Sequence, residues 1–240
     1  MKGGSRTSLT ALYRPADLVD EPIYALAQVA RYARVPTNTV RSWVVGRSYR
    51  TSAGPQQWEP LIQPADKIGE FLSFTNLTEV HVLGALRRYH GVPMPAIRQA
   101  IRDLREHLGD KHPLANKKMR TLDGRLFLDE VTSLLRLDGS GQLVFRDVFA
   151  DYLRRIVHLG NLAVRLHPWI SEPAHDSPEL VAIDPRIAFG KPFLVKSGAP
   201  TAAVMDRFQA GETITALSVD LRESAFGIEQ ALQIEQRRAA

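Results

Sequence analysis

Apolar positions in the first quarter of the chain recur at three- and four-residue spacing. From Tyr24 onward, Leu26, Val29, Ala30 and Ala33 follow that rhythm, which predicts an amphipathic helix. The rhythm breaks at Val35-Pro36 and resumes with Val40, Trp43 and Val44. Pro36 suits the first turn of a second helix, where an N–H would have no partner, and Gly46 suits its end. Residues 46–60, with Gly, Ser and Pro, predict a wing or hairpin held to the body by Tyr49 and Trp58. Residues 1–20 lack periodicity and predict an irregular arm.

Two more helical patterns follow. Residues 79–90 place Val80, Leu83, Ala85 and Leu86 near one side and stop at Gly91. Pro95 opens the next, with Ile97, Ile101, Leu104 and Leu108 in one stripe and Gly109 as its stop. These stripes predict an antiparallel helix pair. Strands are expected at 125–129, 142–145 and 162–166, with a helix through Val148, Tyr152, Ile156 and Leu159. Residues 167–179 hold three prolines and read as a linker. Beyond it, strands at 180–183 and 193–196 precede helices at about 201–209, 213–217 and 223–238. The fold class expected is mainly α with small β elements (α+β). A winged helix-turn-helix occupies 1–60, a helical middle part with short strands 61–166, and a small three-helix unit 180–240.

Charge changes this picture at one place. The whole chain carries a formal net charge of +5. Residues 22–58 contain Arg31, Arg34, Arg41, Arg47 and Arg50 and no Asp or Glu, so this window carries as much net charge as the entire protein. An acid-free run of arginines is the footprint of a surface that meets phosphates. A solvated basic face is the plainer alternative.

The two predicted helices also meet the chemical needs of a helix-turn-helix. Ala30 is the small residue over which a second helix can cross, Val35 points inward at the turn, and Val40 anchors the second helix. Thr37, Asn38, Thr39, Arg41 and Ser42 are left for the outer face, where donors to phosphates and base edges are wanted. With Arg31, Arg47 and Arg50 they form the candidate DNA-binding set. The segment YALAQVARYARVPTNTVRSWVVG resembles MerR-type and related winged helix-turn-helix segments over about 35 residues. The turn position commonly held by glycine in such segments is Arg34, which carries strain if that position requires a positive φ.

The C-terminal stretch contains Ile183-Asp184-Pro185, then Gly190-Lys191-Pro192, a strand, Gly198, and a helix ended by Gly211. This succession is similar to a short domain found in bacterial antitoxins, although Ala199-Pro200 stands where Thr-Arg is common. Together with LSFTNLTEVHVLGALRR in the middle part, the chain resembles VapB-type antitoxins of type II toxin–antitoxin pairs. That resemblance implies a PIN-type ribonuclease toxin as partner and double-stranded promoter DNA as a second one. PIN-type toxins hold a metal in carboxylates, so basic residues of the C-terminal unit become candidates for toxin binding: Lys191, Lys196, Arg222, Arg237 and Arg238. A ligand-responsive MerR-like regulator and a protein-binding adaptor remain as alternatives. The three terminal helices read equally as a second helix-turn-helix or a dimerisation unit, and a homodimer is expected.

Catalytic and metal chemistry finds no constellation in the sequence. There is no cysteine, which removes disulfides and thiolate sites and makes a reducing, cytoplasmic setting the expectation. MKGGSRTSLT is followed by no apolar core of a signal peptide, and no apolar run approaches the length of a membrane span. The seven histidines form no i, i+4 pair beside a glutamate, and His107 and His112, straddling Gly109, read as capping or surface residues. Asp103 with Glu106, and Asp129 with Glu130, read as solvated faces. A non-enzymatic protein without cofactor or metal is expected.

Overall fold

The computed structural model describes residues 15–51, 54–66, 68, 70–88, 94–120, 125, 127, 129, 139–171 and 176–236. Around a central helix, α4 (Phe74–Arg88), the other elements are arranged. From Leu72 to Leu86 every residue is buried, including Asn76, Thr78, Glu79 and His81. A helix buried on all sides needs partners for its polar groups. Asn76 Oδ1 accepts from the Ala65 N–H at 2.9 Å and its Nδ2 donates to the Gln63 carbonyl at 2.9 Å. Thr78 donates to the Phe74 carbonyl at 3.0 Å, and His81 Nε2 lies 3.1 Å from the Tyr152 carbonyl.

The N-terminal elements lie on one flank of α4. They are α1 (Pro15–Val19), β1 (Tyr24–Ala25), α2 (Leu26–Ala33), α3 (Thr37–Val44), and the hairpin β2 (Arg47–Thr51) with β3 (Gly54–Trp58). The short strand β4 (Phe71–Leu72) pairs antiparallel with β1 just before α4. After α4 come α5 (Met94–Leu108), α6 (Gly139–Arg154) and the hairpin β5 (Ile156–Leu159) with β6 (Leu162–Leu166). The terminal unit pairs β7 (Val181–Ala182) with β8 (Phe193–Leu194), and of α7 (Thr201–Gln209), α8 (Ile214–Leu221) and α9 (Ala225–Gln236) it is α9 that packs on both strands and on the other two helices. Mostly helical, with two-stranded sheets, this is the expected class.

Local expectations failed at several places, each for a physical reason. Pro15–Val19 is a helix rather than part of an irregular arm, with Val19 buried; the arm's residues 1–14 lie outside the described residues. The helix expected from Glu79 starts at Phe74, because its polar residues are buried and satisfied rather than solvated. Residues 142–145 lie inside α6, and the described residues of 125–129, Arg125, Phe127 and Asp129, are helical too, against both expected strands. A short apolar run between glycines has no period of its own, and its packing partner decides its state. The helix expected through Leu159 stops at Arg154, and Ile156–Leu159 turns back on β6 through Gly160-Asn161, a dipeptide that favours hairpins. Helices α4 and α5 both pack on a 3-10 turn, Pro113–Ala115.

The stretch after β6 is irregular yet partly internal. Trp169 and Ile170 are buried, and the Arg155 guanidinium lies 3.9 Å from the Trp169 ring centre while donating to the Ser177 carbonyl at 2.8 Å. Residues 172–175 lie outside the described residues. The terminal unit is joined to β6 directly: Leu166 and Ile183 exchange two backbone hydrogen bonds, of 2.9 and 2.8 Å.

Candidate nucleic-acid interface

The turn between α2 and α3 is built from the end of α2. Arg34 adopts φ 57°, ψ 41°, the left-handed cap conformation, and its N–H reaches back to the Arg31 carbonyl at 3.3 Å. The next N–H, of Val35, reaches the Ala30 carbonyl at 3.0 Å. The turn position that glycine often fills thus does carry a positive φ, and a non-glycine residue there is strained. Arg34 also donates to the Ser171 carbonyl. Val35 is buried against α4, where a Cβ added to Gly84 would stand 3.2 Å from Val35 Cγ2. A small residue on α4 therefore lets the turn approach.

Helix α3 buries Val40, Trp43 and Val44, which orients its other face outward. Its last turn is held from outside: the Leu61 and Ile62 N–H groups both donate to the Trp43 carbonyl, at 2.7 and 3.0 Å. Asn38 and Arg41 are exposed, and Thr37, Thr39 and Ser42 are half-buried. Ser42 donates to the Thr39 carbonyl at 2.8 Å. Gly46, at φ 86°, starts the wing; a Cβ there would come within 2.3 Å of the Trp58 carbonyl oxygen, so only glycine lets β2 pass beside β3.

Between α3 and the wing lies an open trough of about 600 Å³. Asn38, Thr39, Arg41 and Ser42 form one wall, Gly46, Arg47 and Trp58 a second, and Arg87, Met94 and Arg98 a third. Among the described residues, four arginines line it and no carboxylate does. Of the expected DNA-binding residues, the structure brings Asn38, Thr39, Arg41, Ser42 and Arg47 to this trough. Thr37 opens α3 beside them, and Arg50 lies on strand β2. Arg31 is apart from them. Its guanidinium sits 5.0 Å from the Tyr32 ring centre and 3.3 Å from Glu235 Oε2 of α9. Arg87 and Arg98 escaped the sequence reading because they lie outside the acid-free window, on helices whose periodicity spoke only of core.

Residues 22–101 match a family model described as "Putative DNA-binding HTH domain". The chain is 32% identical over 219 residues to "Putative antitoxin VapB45" of Mycobacterium tuberculosis (strain ATCC 25618 / H37Rv), covering 84% of this chain and 88% of that protein. This chain belongs to the VapB45 family. A crystal structure of Rv2018 from Mycobacterium tuberculosis is similar to it as well, with a TM-score of 0.63 at 27% identity. That match covers 89% of this chain and 98% of the other.

In this VapB45-family chain, the terminal unit is docked on the helix-turn-helix part. Gly190, at φ 74°, lies against Tyr24 of β1: a Cβ there would stand 2.5 Å from the Tyr24 hydroxyl oxygen. Burial pushes the Tyr24 phenol well above the usual range. The loop leading to Gly190 is tied down by Asp184, which is fully buried and accepts from Arg186 Nη2 at 2.7 Å, Arg186 Nε at 2.8 Å and Arg165 Nε at 3.2 Å. Burial alone would push that carboxyl up; the hydrogen bonds from Arg186 and Arg165 hold it below its ordinary value. Lys191, Lys196 and Arg222, three of the candidate toxin-binding residues, are exposed on this unit; Arg237 and Arg238 lie outside the described residues.

Among the described residues no group of three or more His, Asp or Glu side chains is placed to hold a metal, and no helix is long and apolar enough to cross a membrane. His112 is not a surface cap: its Nδ1 lies 2.9 Å from Oε2 of the buried Glu79.

Proposed function

We propose that this protein is an antitoxin that binds promoter DNA of its own operon through α3 and the β2–β3 wing, and neutralises a cognate PIN-type ribonuclease toxin through its terminal unit. The observation that carries the DNA half is the acid-free trough beside the exposed face of α3. Asn38, Thr39 and Arg41 supply the donors and acceptors that base edges in a major groove require, and Arg47 at the start of the wing faces the phosphate path. Thr37, Ser42 and Arg50 complete the surface. Arg31 contributes by setting the position of α2 rather than by touching DNA.

Support for the toxin half comes from family membership and from the surface of the terminal unit. Residues 185–198 expose Lys191 and Lys196 and no carboxylate. Between them and Asp184, Phe189 is 93% exposed with φ 55°, next to Ala188 at φ 50°. A bulky aromatic held in a strained conformation in full solvent fits a contact residue better than a packing one. The basic side chains would face the partner's metal-binding carboxylates.

The DNA half is tested by binding the protein to a duplex from its own upstream region and to a scrambled duplex. Arg41→Ala should weaken the first by about 1–3 kcal/mol, the range for a good base contact, and the second far less. Equal affinity of wild type and Arg41→Ala for the upstream duplex, with folding intact, removes α3 as the reading helix.

A further inference from the structure

The third wall of the trough belongs neither to the helix-turn-helix nor to the wing. Arg87 stands exposed near the end of α4, and Arg98 projects from the second turn of α5. Arg98 is held in place: its guanidinium lies 5.2 Å from the Trp58 ring centre and donates to the Glu59 carbonyl. The aromatic ring at the root of the wing thereby fixes a cation from a different helix over the same concavity that receives Arg41 and Arg47.

Four guanidiniums around one open concavity repel one another, and among the described residues no lining carboxylate offsets them. A polyanion with regularly spaced charges does. Resting on the DNA-binding reading above, we propose that Arg87 and Arg98 grip phosphates of the duplex that α3 reads, so that the interface has three walls. The two side chains then set register and affinity and carry no sequence information, because phosphates are alike at every step. Arg98, stacked and pre-positioned, contacts one phosphate in a fixed place; Arg87, exposed on α4, follows the neighbouring one.

The experiment is a salt series of binding titrations with a labelled duplex from the protein's own upstream region and a scrambled duplex of equal length. Each phosphate contact releases counterions, so log affinity falls with log salt by a slope of about 0.9 per contact. Arg87→Ala should reduce the slope by roughly that amount and weaken both duplexes by the same factor. Arg87→Lys should restore the wild-type slope. Because Arg98→Ala removes the stack on Trp58 and could disturb the wing, Arg98→Lys and Arg98→Gln are compared instead; the lysine should keep the slope and the glutamine lose it. An unchanged slope in both Arg87→Ala and Arg98→Gln overturns the three-walled interface while leaving α3 as reader. So does a change in the ratio between the two duplexes, which would place these arginines on bases. Failure of the wild-type protein to bind either duplex overturns the DNA-binding reading itself.

Discussion

At the scale of single residues, the pair Glu79–His112 shows how a buried charge is managed. Burial pushes the Glu79 carboxyl above its ordinary range, against hydrogen bonds from His112 and, at 3.5 Å, Asn76 Nδ2, and against the charge of Arg105. Burial alone would lower His112; its hydrogen bond to Glu79 and the charges of Glu79, Asp20 and Asp110 outweigh that and hold the imidazole above 6.5. His112 therefore keeps a proton in the folded protein that it releases in the unfolded chain. Stability from His112 is complete below the ordinary histidine value and is lost as pH rises through the raised one. Thermal melting should accordingly move to lower temperature as pH climbs from about 6.5 upward. His112→Gln should flatten that dependence, and a wild-type melting temperature independent of pH between neutral and mildly alkaline conditions would contradict the assignment.

At the scale of elements, α5 and the Gly190 loop give the sharpest expectations. Ile97, Ala100, Ile101 and Leu104 form one buried stripe, which is the helical spacing read directly as packing. Leu104→Ala should cost about 2–5 kcal/mol in chemical denaturation, as loss of a buried leucine does when its surroundings relax only partly. A cost below about 1 kcal/mol would mean the site collapses freely. Gly190→Ala combines a left-handed backbone with a side chain driven into the Tyr24 hydroxyl. It should destabilise by about 1–3 kcal/mol, and the loss should register at the head as well as the terminal unit, since Tyr24 opens the helix-turn-helix. Amide exchange in α2 that stays as slow as in wild type would show the two parts to be independent.

At the scale of the whole molecule, the terminal unit cannot be treated as a detachable tail. It shares the Leu166–Ile183 backbone pair with β6, the Arg165–Asp184 ion pair at 3.2 Å, and the Arg31–Glu235 pair at 3.3 Å with α2. A cut near residue 179 would leave these partners exposed, so the separation of the two activities is better tested in the full chain. Lys191→Glu combined with Lys196→Glu should abolish protection against the co-expressed toxin by reversing charge at its carboxylates. Binding to the upstream duplex should stay within about twofold, because neither lysine lines the trough. Undiminished protection by that double variant would move the toxin to another surface.

By itself the sequence determined the elements whose signal is local. The α2–α3 turn at Arg34-Val35-Pro36, the wing opened by Gly46, the stripe of α5 and the helix of residues 201–209 were all legible, because spacing, proline and glycine act within a turn or two. The acid-free arginine window was equally legible as composition. Tertiary structure alone decided what depends on distant neighbours. Residues 142–145 became helix because they belong to α6, which packs on α4, and Glu79 and His81 turned inward because Asn76, His112 and Tyr152 satisfy them there. Arg31 left the basic set once Glu235, 204 residues away in sequence, drew it to α9. Arg87 and Arg98 joined the trough for the converse reason: two helices fold back beside the wing and bring their cations to the trough that Arg41 lines. No window of sequence encodes that meeting, since the energy that fixes it is the burial of apolar faces contributed by segments far apart along the chain.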